Sequence, residues 1–254
     1  MKLYQPKEHL AQFRFFGKSN DLLPVKRKNI WFFHSFNGQP SIKDSIESLG
    51  VPHTEIDFIL VNGKSVTFAY QLKPDDKVAI YSGPFKKNNR GMRYLNKREF
   101  SKPQFVLDAH LGKLTRYLRL LGFHVLYQRN YPDQAIVKDA RMYERIVLTR
   151  DVGLLKNKII QHGYWVRETN PIKQIKEIVK KFCLSKRIKP FRICLECNGK
   201  IKKVAKTKIL NRLLPETQKY YRQFYMCQQC MRIYWQGTHF KKLTTLIKKI
   251  QQVK

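Results

Sequence analysis

Phe105-Val106-Leu107-Asp108 opens, and Ile146-Val147-Leu148-Thr149-Arg150-Asp151 closes, the stretch on which the reading of the fold turns. Each is a short apolar run that stops at an aspartate, and a helical pattern separates the two. Such runs, bounded by polar residues, read as buried strands of a parallel sheet. Two strands then deliver carboxylates to one sheet edge. In open parallel sheets ligands and chemistry collect at the strands' carboxyl ends, where the loops surround a crevice.

Outward from that pair the pattern alternates regularly. Strands are expected at 104–108, 124–127, 145–149 and 164–167, each followed by a helix, at 111–121, 133–143, 152–161 and 171–184. This order predicts a doubly wound α/β sheet with right-handed crossovers. On helix 111–121, Leu111, Leu114, Leu118 and Leu121 form one stripe, and Lys113, Arg116 and Arg119 form a row on another face.

Upstream, aromatic-rich strands at 10–16 and 30–36 flank a basic cluster and suggest a hairpin. Ser41 caps a short helix, Ile42 to Leu49, which Gly50 ends. Strands then flank Asn62-Gly63, a pair that accepts the positive φ of a type I′ turn, and a last strand runs from Lys77 to Tyr81. The order β-β-α-β-β-β resembles a β-grasp, and Ser41 to Tyr81 is similar to the sulfur-carrier branch of the ubiquitin-like superfamily. The free diglycine end of that branch is missing, because Ser82-Gly83-Pro84 leads onward into the chain. A docking or RNA-contacting module is therefore expected.

The predicted boundaries are 1–84 for the β-grasp domain, 85–103 for a basic linker, 104–189 for the α/β domain, 190–240 for a metal-binding ribbon and 241–254 for a basic C-terminal helix. Cys183 is expected on the apolar side of helix 171–184 as plain packing.

The 254 residues carry 51 Lys and Arg against 18 acids, a net charge of +33. Self-repulsion of that size implies a polyanionic partner, nucleic acid first. The excess grows along the chain, and residues 191–254 hold 15 bases and 2 acids. No stretch approaches the roughly 18–20 apolar residues of a spanning helix, and no signal-peptide core is present. A soluble, cytoplasmic protein with no membrane role is the expectation.

Asp108 ends one strand, Asp151 follows another, and Asp133 opens the second helix on the same side of the sheet. Three carboxylates near one point repel unless a divalent cation compensates them. Oxygen ligands suit Mg²⁺ or Mn²⁺, and the chemistry that follows is phosphodiester hydrolysis with water activated by the ion. The competing reading is that each aspartate caps its helix. Arg119 and Arg150 are placed nearest a scissile phosphate, where they would neutralise developing charge.

Cys194-x2-Cys197 and Cys227-x2-Cys230 offer four thiolates to one structural Zn²⁺. Around them lie Tyr220, Tyr221, Phe224, Tyr225, Tyr234 and Trp235, interleaved with Arg222, Arg232 and several lysines. Aromatics beside cations suit single-stranded RNA. Most of these rings are expected in the core, with Tyr234 or Trp235 exposed. RNA contacts are assigned to Lys113, Arg116, Arg119, Arg222, Arg232, Tyr234 and Trp235.

The residues Asp108-Ala-His-Leu-Gly-Lys-Leu-Thr-Arg-Tyr-Leu-Arg-Leu-Leu-Gly122, then Asp133, then Leu148-Thr-Arg-Asp151, together with the cysteine pairs and Tyr234-Trp235-x-Gly-x-His239, resemble the Mut7-C RNase domain, a PIN-like nuclease fold. Its usual N-terminal partner is a ubiquitin-like domain. The resemblance implies a metal-dependent RNA endonuclease with Asp108, Asp133 and Asp151 holding Mg²⁺ or Mn²⁺. Gln134 stands where members commonly carry a further acid. The alternative is a non-catalytic protein that binds structured RNA or the ribosome on a degenerate PIN-like fold, with tRNA or rRNA as the partner. A third reading is a DNA-binding regulator that uses the ribbon.

Overall fold

The computed structural model describes residues 8–83, 94–96 and 100–253. Most of the expected linker, residues 85–93 and 97–99, lies outside the described residues. The chain forms β1 (His9–Gly17), β2 (Phe32–Phe36), α1 (Ile42–Ser48), β3 (Phe58–Val61), β4 (Lys64–Val66), β5 (Lys77–Ser82), β6 (Phe105–Leu107), α2 (Gly112–Leu120), β7 (Val125–Leu126) and α3 (Asp133–Met142). It continues with β8 (Ile146–Thr149), α4 (Val152–Leu155), β9 (Gly163–Trp165), α5 (Pro171–Lys181), β10 (Ile201–Val204), α6 (Pro215–Tyr220), β11 (Phe224–Cys227), β12 (Ile233–Trp235) and α7 (Thr238–Gln251). Two compact units result, Met1–Arg98 with Asp151–Trp165, and Glu99–Arg150 with Val166–Lys254.

The first unit carries a five-stranded sheet in the order β2-β1-β5-β3-β4. Its two central strands, β1 and β5, run parallel, and the remaining pairs are antiparallel, which is a β-grasp arrangement. Alternation in β1 sends Ala11, Phe13 and Phe15 into the core, where Ile42 and Ile46 of α1 meet them. Ser41 caps α1 by accepting from the Asp44 amide. Asn62 and Gly63 both take positive φ, 50° and 80°, so the β3–β4 turn has the expected type I′ chemistry.

Asp151–Trp165 joins this unit through buried polar contacts. Glu55 accepts from the Trp165 amide at 2.7 Å. His53 places Nδ1 at 2.6 Å from Glu47 Oε1 and Nε2 at 2.8 Å from the Ile160 carbonyl oxygen. The expected helix 152–161 is a single turn, Val152–Leu155. It stops because the Asn157 carboxamide oxygen accepts from the Ile159 amide, a local bond that competes with the helical ladder.

In the second unit β6 pairs in parallel with β7 on one side and β8 on the other. Every residue of β6 and β8 is buried, as strands covered on both faces require. The leucine stripe of α2 is buried in full, and Ile175, Ile178 and Val179 of α5 bury alongside it. Gly122, at φ 91°, ends α2 at a crossing that excludes any side chain, since a Cβ there would lie 2.1 Å from the Lys189 carbonyl oxygen. That crossing leads the chain to the first cysteine pair. Strands β10, β11 and β12 form an antiparallel ribbon. Helix α7 buries Ile247 and Ile250 and leaves Lys241, Lys242, Lys248 and Lys249 exposed. Cys183 is exposed with φ 52° just past α5, so it is a helix-ending position and not the packed one the periodicity predicts.

Candidate functional site

Asp108 follows β6, and its amide donates to the Leu148 carbonyl at 3.1 Å, so the ladder with β8 fixes its backbone. The side chain is 8% exposed, and Oδ2 accepts from the hydroxyl of fully buried Thr149 at 2.8 Å. It makes no capping bond to the turn that follows, Ala109–Leu111. An ionised carboxylate has about four acceptor positions, so most of its capacity is left for a ligand. Tyr127 braces the same turn by donating to the Ala109 carbonyl at 2.9 Å. Gly112 makes room for that ring, because a Cβ would meet the Tyr127 hydroxyl oxygen at 2.7 Å. Spacing alone gives neither Thr149 nor Tyr127 a role. Thr149 lies inside the Leu148-Thr-Arg-Asp151 motif, and Tyr127 closes an expected strand.

Asp133 is the first residue of α3. It is exposed and makes no capping bond, the N-cap position being Pro132. Asp151 behaves differently. It caps α4, accepting from the Gly153 amide at 2.7 Å. The capping reading therefore holds for Asp151 and fails for Asp108 and Asp133. Among the described residues, one group of His, Cys, Asp or Glu ligand atoms is close enough to share an ion, and it is the cysteine quartet. No ready cage of three carboxylates accompanies it.

The two arginines expected at a phosphate have other work. Arg119 is 5% exposed. One Nη donates to the carbonyls of Leu195 at 3.0 Å and Glu196 at 2.6 Å, and the other to Val125 at 2.9 Å. Burial lowers its pKa, with the Cys194 and Cys197 thiolates and Glu196 opposing. Arg150 donates to the carbonyls of Val166, Arg167 and Glu168 at 3.2, 3.0 and 2.8 Å. Both fasten main chain. Helical periodicity predicts Arg119 beside Lys113 and Arg116, yet only those two are exposed.

The four cysteine sulfurs lie within 4.8 Å of one another, with Cys194 and Cys230 at 3.6 Å and Cys197 and Cys227 at 3.4 Å. A tetrahedral ion with roughly 2.3 Å bonds to sulfur sets its ligands roughly 3.8 Å apart, so the quartet fits Zn²⁺. Each knuckle turns on a residue of positive φ directly after its second cysteine, Asn198 at 68° and Met231 at 57°. Against the upward push of burial, the amides of Cys197 and Glu196 and the Tyr234 hydroxyl hold the Cys194 thiol down to about 6. Burial pushes Cys197 up to about 12. A bound dication would be held by all four cysteines as thiolates and would tie the knuckles together.

The knuckle also completes the sheet edge. The Val125 amide donates to Asn198 Oδ1 at 2.9 Å, and the Val125 carbonyl accepts from Arg119. Arg116 and Arg232 share the Glu196 carboxylate at 3.0 and 3.6 Å. Of the other assigned RNA contacts, Lys113 and Arg222 are exposed, Trp235 is 40% exposed, and Tyr234 is half-buried. The Tyr234 hydroxyl lies 3.1 Å from Cys194 Sγ and accepts from the Leu195 amide at 3.2 Å.

The architecture is a parallel α/β sheet with a β-grasp-like domain before it and a four-cysteine cluster compatible with a zinc ribbon after it, and a family match supports a nuclease-like, RNA-related class of protein. The Mut7-C RNAse domain matches residues 103–247, and the Mut7-C ubiquitin domain matches residues 8–88. The chain belongs to the Mut7-C RNAse domain family. Comparison with curated proteins and with solved structures found no match. No helix among the described residues is long and apolar enough to cross a membrane.

Proposed function

We propose that the protein is a divalent-metal-dependent endoribonuclease whose principal carboxylate is Asp108, with Asp133 and Asp151 contributing. The observation that carries this reading is the state of Asp108, a buried carboxylate at a parallel strand's carboxyl end that caps nothing and is oriented by Thr149. Mg²⁺ or Mn²⁺, when bound, supplies activation of water and neutralisation of phosphate charge. Thr149 is a positioning residue, since its hydroxyl fixes one carboxylate oxygen and aims the other. Lys113 and Arg116, exposed on α2, are suited to hold the RNA backbone by counterion release. Arg119 and Arg150 serve as braces and not as charge-neutralising groups. Residence in the cytoplasm and tRNA or rRNA as substrate belong to the same proposal.

The test is cleavage of mixed RNAs with Mg²⁺ or Mn²⁺. Wild-type protein is expected to release fragments, and an Asp108→Asn, Asp151→Asn double variant to release none. Equal product from both rejects the reading. A second reading, an RNA- or ribosome-binding protein without catalysis, is favoured by the capping bond of Asp151 and by Gln134. It predicts co-sedimentation with ribosomal subunits and no loss of RNA.

A further inference from the structure

A cavity of about 750 Å³ opens in the second unit where the ribbon, the chain at Pro190–Phe191 and the start of α7 meet. Its walls include the rings of Phe191, Tyr221, Tyr225, Tyr234, Trp235 and Phe240. Nothing in the family match assigns it a role. Small-molecule sites run from roughly 300 to 1,000 Å³ and are largely apolar with a few polar groups, so the size suits unpaired bases and excludes a duplex.

The walls are held in advance. Tyr234 is pinned by its hydroxyl to Cys194 and to the Leu195 amide, so its ring is set by the metal knuckle. Trp235 lies against Gly237, where a Cβ would sit 3.0 Å from the indole nitrogen. Among the described residues no ring stacks on it. Tyr221 and Phe224 meet it at 51° and 52°, with centroids 6.3 and 6.5 Å away. A rigid aromatic face, 40% exposed, is therefore presented at low entropic cost.

Charge selects the occupant. Arg232 lies on the cavity wall, and exposed Arg222, Lys241 and Lys242 adjoin the wall residues Tyr221, Phe240 and Leu243 in sequence. Residues 191–254 carry only two acids, Glu196 and Glu216, and Glu196 is already shared by Arg116 and Arg232. An apolar partner helix would leave these cations unmatched. Unstacked bases would fill the aromatic walls, and their phosphates would meet the basic rim. We infer that this cavity is a binding site for unpaired nucleotides of single-stranded RNA, stacked on Trp235. The inference rests on the RNA reading above but not on catalysis.

The test uses the zinc-loaded full chain without added Mg²⁺ or Mn²⁺, with a single-stranded octanucleotide of uridine or adenosine and a duplex RNA of the same length as probes. The oligonucleotide is expected to quench tryptophan emission, and Trp235→Phe is expected to lose that quench, leaving Trp31 and Trp165 unaffected, while still binding. Trp235→Ala, with zinc content unchanged, is expected to raise Kd for the single strand roughly tenfold and to leave the salt dependence as it was, since stacking releases no counterions. Equal quenching of wild type and Trp235→Phe, or single-strand affinity indifferent to Trp235→Ala, overturns the site and leaves RNA binding elsewhere intact. Quenching by an amphipathic peptide and not by RNA overturns it in favour of a protein partner. If neither RNA binds the wild-type chain, the RNA reading itself fails.

Discussion

Arg119 on α2 donates to the Leu195 carbonyl at 3.0 Å and, in the same fork, to Glu196, so a buried guanidinium ties the α/β sheet to the first cysteine knuckle. Three carbonyls from two elements converge on it, the third being Val125. A planar fork can meet several acceptors at once and an ammonium cannot. Arg119→Ala is expected to lower stability by about 3 kcal/mol, since hydrogen bonds to a charged donor are worth roughly 1.5–3 kcal/mol each and part of that loss relaxes. Arg119→Lys should recover less than half. Urea unfolding at fixed zinc measures both.

Zinc removal should be felt first at β7. The Val125 amide donates to Asn198 Oδ1, and Asn198 follows Cys197 directly. On chelation the Val125 amide is expected to lose hydrogen-exchange protection, while the Ile146 amide, which donates to the Gln104 carbonyl, keeps it. Simultaneous loss at both positions would mean that the ribbon and the sheet unfold together.

Asp151 offers a separation of capping from chemistry. Asparagine is as good an N-cap as aspartate, and alanine is not. Asp151→Asn should therefore leave stability unchanged and reduce RNA cleavage at least tenfold. Asp151→Ala should show the same loss of cleavage and cost about 1 kcal/mol as well. Full activity in Asp151→Asn would reduce the residue to its cap, seen in the bond to the Gly153 amide.

Two histidines set a response to acid. Burial, then Arg27, holds His34 below the ordinary value of 6.5, and burial, then Arg145 and Lys200, does the same for His124. The unfolded chain thus takes these protons first. Their contribution is present above pH 6.5 and is lost as pH falls through the lower folded values. Unfolding free energy should drop with acidification below that point, and a His34→Gln, His124→Gln double variant should show a shallower drop by chemical denaturation.

Local signals in the sequence carry a large part of this molecule. The Asn62-Gly63 turn, the Ser41 cap, the α2 leucine stripe and the cysteine pairs all depend on neighbours a few residues away, and each appears in the structure as the spacing implies. The illegible part is long-range. Periodicity places Arg119 on a face but is silent on depth, and two of its three carbonyl partners lie 76 and 77 residues downstream. Expected helix 152–161 is lost to one carboxamide bond, and Asp151–Trp165 clusters with the N-terminal unit through Glu55 and His53, about a hundred residues before it. At the acidic edge, sequence spacing leaves both capping and ligation open. Only the hydrogen bonds separate Asp151, which caps, from Asp108, which does not.

On the proposed reading the Asp108 carboxylate, held by Thr149, performs chemistry on RNA. The most direct measurement is Mn²⁺-dependent cleavage of an end-labelled single-stranded RNA by wild type and by Asp108→Asn, with urea midpoints matched to show intact folding. Cleavage by wild type is expected, with none in the absence of added metal and a loss of at least a hundredfold in Asp108→Asn. Undiminished cleavage by a folded Asp108→Asn protein would contradict it.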